Sequence, residues 1–239
     1  HSIEDAISSI LSYIGARVSA IPNDFTHPYG HGKAEYIFSF IISITMIIAS
    51  FTMFKSSLYN IFVPQKIEFS FWLIIVCMIN IIIKFILFLY TRKMYKLTKD
   101  ILIKASMEDH RNDMFLTMST LIGVTCGYFS MYIIDSVIGL AISLFILYIG
   151  LKLFVASYLV LIDTNLGCKQ IDDIKMGFKD VSIFLELSEV IATPVGSKYL
   201  IILKVDIKED NTLKKLDYEI KNIKTILKEK YKYIYDVII

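Results

Sequence analysis

Four stretches of this chain, at about residues 34–60, 68–90, 106–129 and 132–161, are each apolar for about twenty residues or more, enough for a helix to cross the roughly 30 Å of a bilayer's hydrocarbon. Residues 1–20 read as a further helix, with small and apolar residues on most faces. That run of spans confines residues 1–162 to an α-helical, multi-pass membrane domain. Pro22 through Pro28 break the chain after the first helix, and Lys33-Ala34-Glu35 open the next. Five spans is an odd number, so a six-span protein with one more helix upstream is the expectation.

The spans at 68–90 and 106–129 are joined by Arg92, Lys93, Lys96, Lys99 and Lys104, and basic residues mark the cytoplasmic side. Counting back puts loop 21–33 on that side; counting forward puts everything after Leu161 there. After Asp163 the composition turns charged, and residues 163–239 read as a separate soluble domain. Ile171–Lys179 and Thr212–Lys230 have helical patterns, while Phe184–Thr193, Tyr199–Ile207 and Tyr233–Ile239 have strand character. The predicted order is α-β-β-α-β, a small cytoplasmic α+β sandwich. At that size it is marginal alone and would gain from dimerisation.

One stretch sits badly with lipid. Met107-Glu108-Asp109-His110-Arg111-Asn112-Asp113 runs directly into an apolar helix. Asp109 and Asp113 are four apart and share one helical face. An aspartate deep in a membrane helix costs roughly 2.5–3.5 kcal/mol, so two on one face call for a compensating cation. Carboxylates one turn apart form half of a divalent-metal site. His1 and Asp5 repeat the spacing on the first helix, and two such helices close a four-ligand site. The competing reading is an acidic cluster at the membrane boundary, solvated or paired with Arg111 and Lys104. His110 and Glu108 fall on other faces, and Lys84 lies where a long side chain can snorkel toward the cytoplasmic end.

A second constellation is Asp24, His27 and His31 in His27-Pro28-Tyr29-Gly30-His31-Gly32-Lys33. It is either a surface metal site or a turn in which the histidines only cap and hydrogen-bond. Lys33 and Asp163 both fall at the cytoplasmic boundary, where they can pair. The soluble domain has no histidine, and its acids Glu186, Glu189, Asp206 and Glu209 read as a solvated face. Three scattered cysteines, Cys77, Cys126 and Cys168, give neither a disulfide framework nor a zinc knuckle. A net charge of +2 gives no reason to expect nucleic acid. No nucleophile–base pair or phosphate cradle suggests an enzyme, and no cofactor is expected beyond the divalent metal those carboxylates call for.

The segment His27–Glu35 resembles the loop between the second and third spans of the cation diffusion facilitator family. His1-xxx-Asp5 and Asp109-xxx-Asp113 resemble the paired ligands of that family's second and fifth spans. The Leu161-Ile162-Asp163-Thr164 junction and the α-β-β-α-β tail also fit. The resemblance implies six spans, a homodimer in the cell membrane with its C-terminal domain cytoplasmic, and proton-coupled export of a divalent transition metal. It implies a transport site at His1, Asp5, Asp109 and Asp113, a loop site at Asp24, His27 and His31, and a charge interlock of Lys33 with Asp163. The Asp/Asp pair on the fifth span is similar to manganese or iron members, whereas His1 is more zinc-like. One histidine among three carboxylates leans to Mn²⁺, with Fe²⁺ or Zn²⁺ next. Binding needs ionised carboxylates, so metal and protons compete for the same atoms. A cation channel with an acidic ring and a non-transporting scaffold are the readings from other classes.

Overall fold

A computed structural model describes residues 2–63, 71–128, 132–182, 185–207 and 213–239, with the side chains of 2–5, 127–128, 132 and 213–214 excepted. The chain divides into two compact units. One comprises residues 1–19 and 34–158; the other comprises 20–33 with 159–239.

The first unit is helical: α1 (Ser2–Ser19), α2 (Ala34–Phe62), α3 (Phe71–Thr98), α4 (Ile101–Tyr128) and α5 (Tyr132–Leu161). Among the described residues, Ala34–Phe62, Phe71–Thr98 and Ile133–Leu161 are long and apolar enough to cross a membrane. On α4, Lys104, Glu108, Asp109, Arg111 and Asp113 dilute the apolar content. Its core joins Leu11 of α1, Phe38, Ile42 and Met46 of α2, Leu102 and Ala105 of α4, and Leu153 of α5. Close approach is built in at Gly15, where a Cβ would lie 2.8 Å from both Phe38 and Leu102. Helix α2 turns Ser39, Ser43, Ser50 and Ser57 inward. Small residues let membrane helices pack closely, and the hydroxyls of Ser39, Ser43 and Ser50 donate to carbonyls of their own helix at 2.6–2.7 Å. On α3, by contrast, Cys77 is the one buried residue and the apolar side chains face outward.

Helix α3 runs past the expected end of its span, leaving only Lys99 and Asp100 between it and α4. Nothing from Tyr90 to Thr98 breaks a helix. The break is made by Lys99 in the left-handed region (φ 59°), its N–H donating to the Tyr95 carbonyl at 2.9 Å. The basic cluster therefore lies on two helix ends rather than in a loop.

The second unit has the order α6 (Cys168–Lys179), β1 (Leu185–Val195), β2 (Lys198–Ile207), α7 (Leu213–Lys230) and β3 (Ile234–Ile238). Strands β1 and β2 pair antiparallel, and β3 lies parallel to β2 on its other edge. A parallel neighbour needs a crossover, which α7 supplies. A bulge between Leu187 and Glu189 shifts the phase of β1. Leu185 before it and Val190, Ala192 and Pro194 after it thereby all turn inward. With Ile174, Phe178, Ile201, Ile223, Leu227 and Val237 the strand builds one core. Glu186, Glu189 and Asp206 are exposed, and Glu189 pairs with Lys204 at 2.5 Å; Glu209 lies outside the described residues.

Candidate metal centres

Helix α4 starts at Asp100, whose Oδ1 accepts the Leu102 and Ile103 N–H groups at 2.6 and 3.4 Å. That is an N-cap, and it fixes where the helix begins. From this start Asp109 and Asp113 fall one turn apart. One ligand atom from each of Asp109, His110 and Asp113 lies within 4.8 Å of the others. The histidine is 100° round the helix from Asp109, so spacing alone puts it on another face. Its ring is long enough to swing back to the pair.

Helix α3 meets this face with a matching i, i+4 pair. Asn80 Nδ2 donates to Thr117 Oγ1 at 2.8 Å, and one turn away the Lys84 ammonium donates to Asp113 Oδ2. Thr117 Oγ1 in turn donates to the Asp113 carbonyl at 2.8 Å. The side chains of Lys84 and Asp113 are only 12% and 13% exposed. Lys84 thus points into the bundle toward an acid instead of snorkelling. Arg111 reaches Glu108 on its own helix and lies 5.3 Å over the Phe145 ring.

Helix α1 also reaches α4. Ser12 and Ser106 share a hydrogen bond at 2.8 Å. A cavity of about 40 Å³ is lined by Ser8, Thr45, Asp109, Asn112 and Asp113, among others. Asn112 is 4% exposed, and neither its Nδ2 nor its Oδ1 has a hydrogen-bond partner among the described residues. Burying an unpaired amide costs about 1–3 kcal/mol, so the site favours a polar occupant. The cavity has room for one ion or water. His1 lies outside the described residues, and Asp5 is described by its backbone alone.

Asp113 also borders a second cavity of about 870 Å³, lined by Asn80, Thr117, Ser57, Asn60, Thr120 and Asp135, among others. These residues sit toward the C-terminal ends of α2 and α4 and the N-terminal end of α5, away from the basic ends of α3 and α4. Asp113 therefore stands between a tight compartment and a roomy one of mixed polar and apolar lining. Sequence patterning gives no sign of either.

Asp24, His27 and His31 come together within the second unit. One ligand atom from each lies within 4.8 Å of the others, and the two imidazole rings are 4.2 Å apart. Asp24 Oδ1 accepts the Thr26 and His27 N–H groups at 2.9 and 2.6 Å and the Thr26 hydroxyl at 2.8 Å. The His27 backbone bond, followed by Thr26, holds the fully exposed Asp24 carboxyl down to about 2. His31 Nδ1 is buried with no hydrogen-bond partner among the described residues, which leaves a donor atom available to a metal. The loop is anchored nearby. A Cβ on Gly32 would lie 3.1 Å from the Gly196 Cα at the β1–β2 turn, and Tyr29 packs edge-on against Tyr235 at 6.2 Å.

Lys33 Nζ donates to Asp163 Oδ1 at 2.5 Å. Asp163 is in the left-handed region (φ 57°) just past α5. Its N–H donates to Val160 and that of Thr164 to Leu159, the paired bonds of a Schellman C-cap. The cap aims the carboxylate at Lys33. Both side chains are about half exposed, so the pair contributes about 0–1 kcal/mol and acts as a positioning contact.

Residues 1–162 match the family described as the cation efflux transmembrane domain. An uncharacterized transporter of Methanocaldococcus jannaschii is 28% identical over 146 residues, covering 61% of this chain and 52% of the relative. The manganese efflux system protein MneS of Bacillus subtilis is 27% identical over 206 residues, 86% of this chain and 71% of the relative. The magnetosome protein MamM of Magnetospirillum gryphiswaldense is 26% identical over 170 residues, 70% of this chain and 53% of the relative. The chain thus spans about half the length of the first and third of these.

Proposed function

Because the chain belongs to the cation diffusion facilitator family of metal transporters, we propose that it exports a divalent transition metal, Mn²⁺ foremost and Zn²⁺ or Fe²⁺ next, in exchange for protons. The observation that carries this reading is the gathering of Asp109, His110 and Asp113 donors beside a small cavity with room for an ion. Two carboxylates per turn on a helix otherwise packed in apolar surroundings need a cation to offset their burial. By their i, i+4 spacing in the sequence, His1 and Asp5 are the donors that complete the shell. Positions 5, 8 and 12 have the spacing of one helical face, and Ser8 and Ser12 already meet α4.

An oxygen-rich shell suits Mn²⁺, and relatives named for manganese efflux support that preference. Metal enters from the basic, cytoplasmic ends of the helices and is gathered by Asp24, His27 and His31. It binds at Asp109 and Asp113 and displaces protons from the carboxylates that carry them, Asp109 among them, because a carboxylate oxygen cannot hold both at once. The larger cavity, which runs from Asp113 to Asp135, is the exit toward the outside. The protein works as a homodimer in the cell membrane, with the C-terminal domain in the cytoplasm and the Lys33–Asp163 contact tying loop to domain.

The test is Mn²⁺ flux into proteoliposomes carrying the full chain under an imposed pH gradient. Asp113→Ala, still monodisperse, should abolish saturable, gradient-driven flux. Transport near the unsubstituted rate in that variant refutes the site. Ohmic current independent of the pH gradient refutes the exchange and favours a channel.

A further inference from the structure

We propose that Lys84 is a tethered counter-cation that shares Asp113 with the transported metal, occupying the carboxylate when the site is empty and giving it up when the ion binds. The inference rests on the transport site proposed above and adds a residue that no spacing on α4 or α1 points to. Its ammonium donates to Asp113 Oδ2 from a different helix, with both side chains nearly buried. The approach is not accidental. Asn80, one turn earlier on α3, is hydrogen-bonded to Thr117, one turn later on α4. This second contact fixes the register of the two helices so that Lys84 and Asp113 meet.

A lysine in this position solves a physical problem and creates another. An empty site would leave Asp113 in poorly solvated surroundings without a compensating charge, which is strongly unfavourable. Lys84 supplies that charge from within the protein. A divalent ion on the same carboxylate then meets an ammonium within a few ångströms, and two like charges in a partly desolvated site repel by several times the thermal energy. The ion must push the ammonium aside, on a flexible four-carbon stem that allows it. Binding is weakened as a result. When the ion leaves, the returning ammonium competes for Asp113 and speeds release. The structure thus assigns to Lys84 control over how tightly the site holds its cargo.

The experiment is calorimetric titration of the purified full chain with MnCl₂, comparing the unsubstituted protein with Lys84→Met, Lys84→Arg and Asp113→Ala. Lys84→Met should bind Mn²⁺ about tenfold tighter or more, because repulsion is removed while the ligands remain. In proteoliposomes its turnover at saturating Mn²⁺ should fall, since release slows. Lys84→Arg, which keeps the charge, should stay within about threefold of the original affinity. A folded Lys84→Met whose affinity is unchanged or lower overturns the proposal. If that variant does not fold, the unsubstituted protein with ¹³C-methylated lysines provides the readout, the Lys84 resonance being assigned by its loss in Lys84→Arg. Addition of Cd²⁺ should move that resonance, and an unmoved signal overturns the proposal. Asp113→Ala separates the two levels. If it loses Mn²⁺ binding while the lysine variants change nothing, only the role of Lys84 fails; if it binds Mn²⁺ normally, the transport site itself fails.

Discussion

Replacing Gly196 by alanine should release loop 20–33 from the sheet of the second unit. Two effects add at this position. Gly196 has φ +64°, as the first residue of a two-residue hairpin turn between Val195 and Lys198. A Cβ there costs about 1–2 kcal/mol from backbone sterics alone. The same Cβ would lie 3.0 Å from the Cα and carbonyl carbon of Gly32. These are backbone atoms that cannot rotate away, so overpacking adds about 1–3 kcal/mol. The hairpin is held by a continuous ladder from Leu185↔Ile207 to Val195↔Lys198, broken only by the bulge. Loop 20–33 is held by far less, chiefly Lys33–Asp163 and Tyr29–Tyr235. The loop is therefore what yields. Lifting the loop relieves the overpacking and leaves the φ strain in the turn, so the low end, about 1 kcal/mol, raises the open population roughly fivefold. Hydrogen exchange of the Gly30 amide, which donates to the His27 carbonyl at 2.9 Å, should accelerate by at least that factor. Gly32→Ala meets the same contact from the other side, 3.1 Å from the Gly196 Cα, and should open the loop to a similar degree. Unchanged exchange across residues 24–31 in Gly196→Ala would refute the packing argument.

The remaining expectations test other parts of the molecule. Asp24 ionises at about 2, below the usual carboxylate value. The turn's stability contribution is therefore full above about pH 4 and is lost as pH falls through about 2; a carboxyl-detected NMR titration should give that midpoint, and a midpoint near 4 would contradict the hydrogen bonds at Asp24. Asp236 is likewise held low, chiefly by its hydrogen bond with Lys228, so Lys228→Met should raise the Asp236 midpoint in the same experiment. Leu227, fully buried between α7 and the sheet, should cost about 2–5 kcal/mol when cut to alanine, seen as a lowered denaturation midpoint of the C-terminal domain. Asp100→Ala removes the cap of α4 and should cost about 1 kcal/mol, with faster amide exchange at Leu102 and Ile103 and no change in metal stoichiometry.

The sequence by itself determined the elements and singled out Asp109 with Asp113, and Asp24 with His27 and His31, as candidate donors. Apolar length marked the helices of the first unit, and the switch to period-2 patterning marked the strands, because both signals are local to the chain. The i, i+4 spacing of Asp109 and Asp113 and the crowding of Asp24, His27 and His31 in one turn were legible for the same reason. What faces those donors from elsewhere was not. That Lys84 meets Asp113, that the His110 ring joins the pair, and that Gly32 lies against Gly196 depend on helix rotation, helix register and loop docking. Those are set by many weak contacts between distant segments, such as Asn80 with Thr117 and Ser12 with Ser106. No repeat along a single helix encodes its partner, so the neutraliser of a buried acid became visible only when the helices were packed.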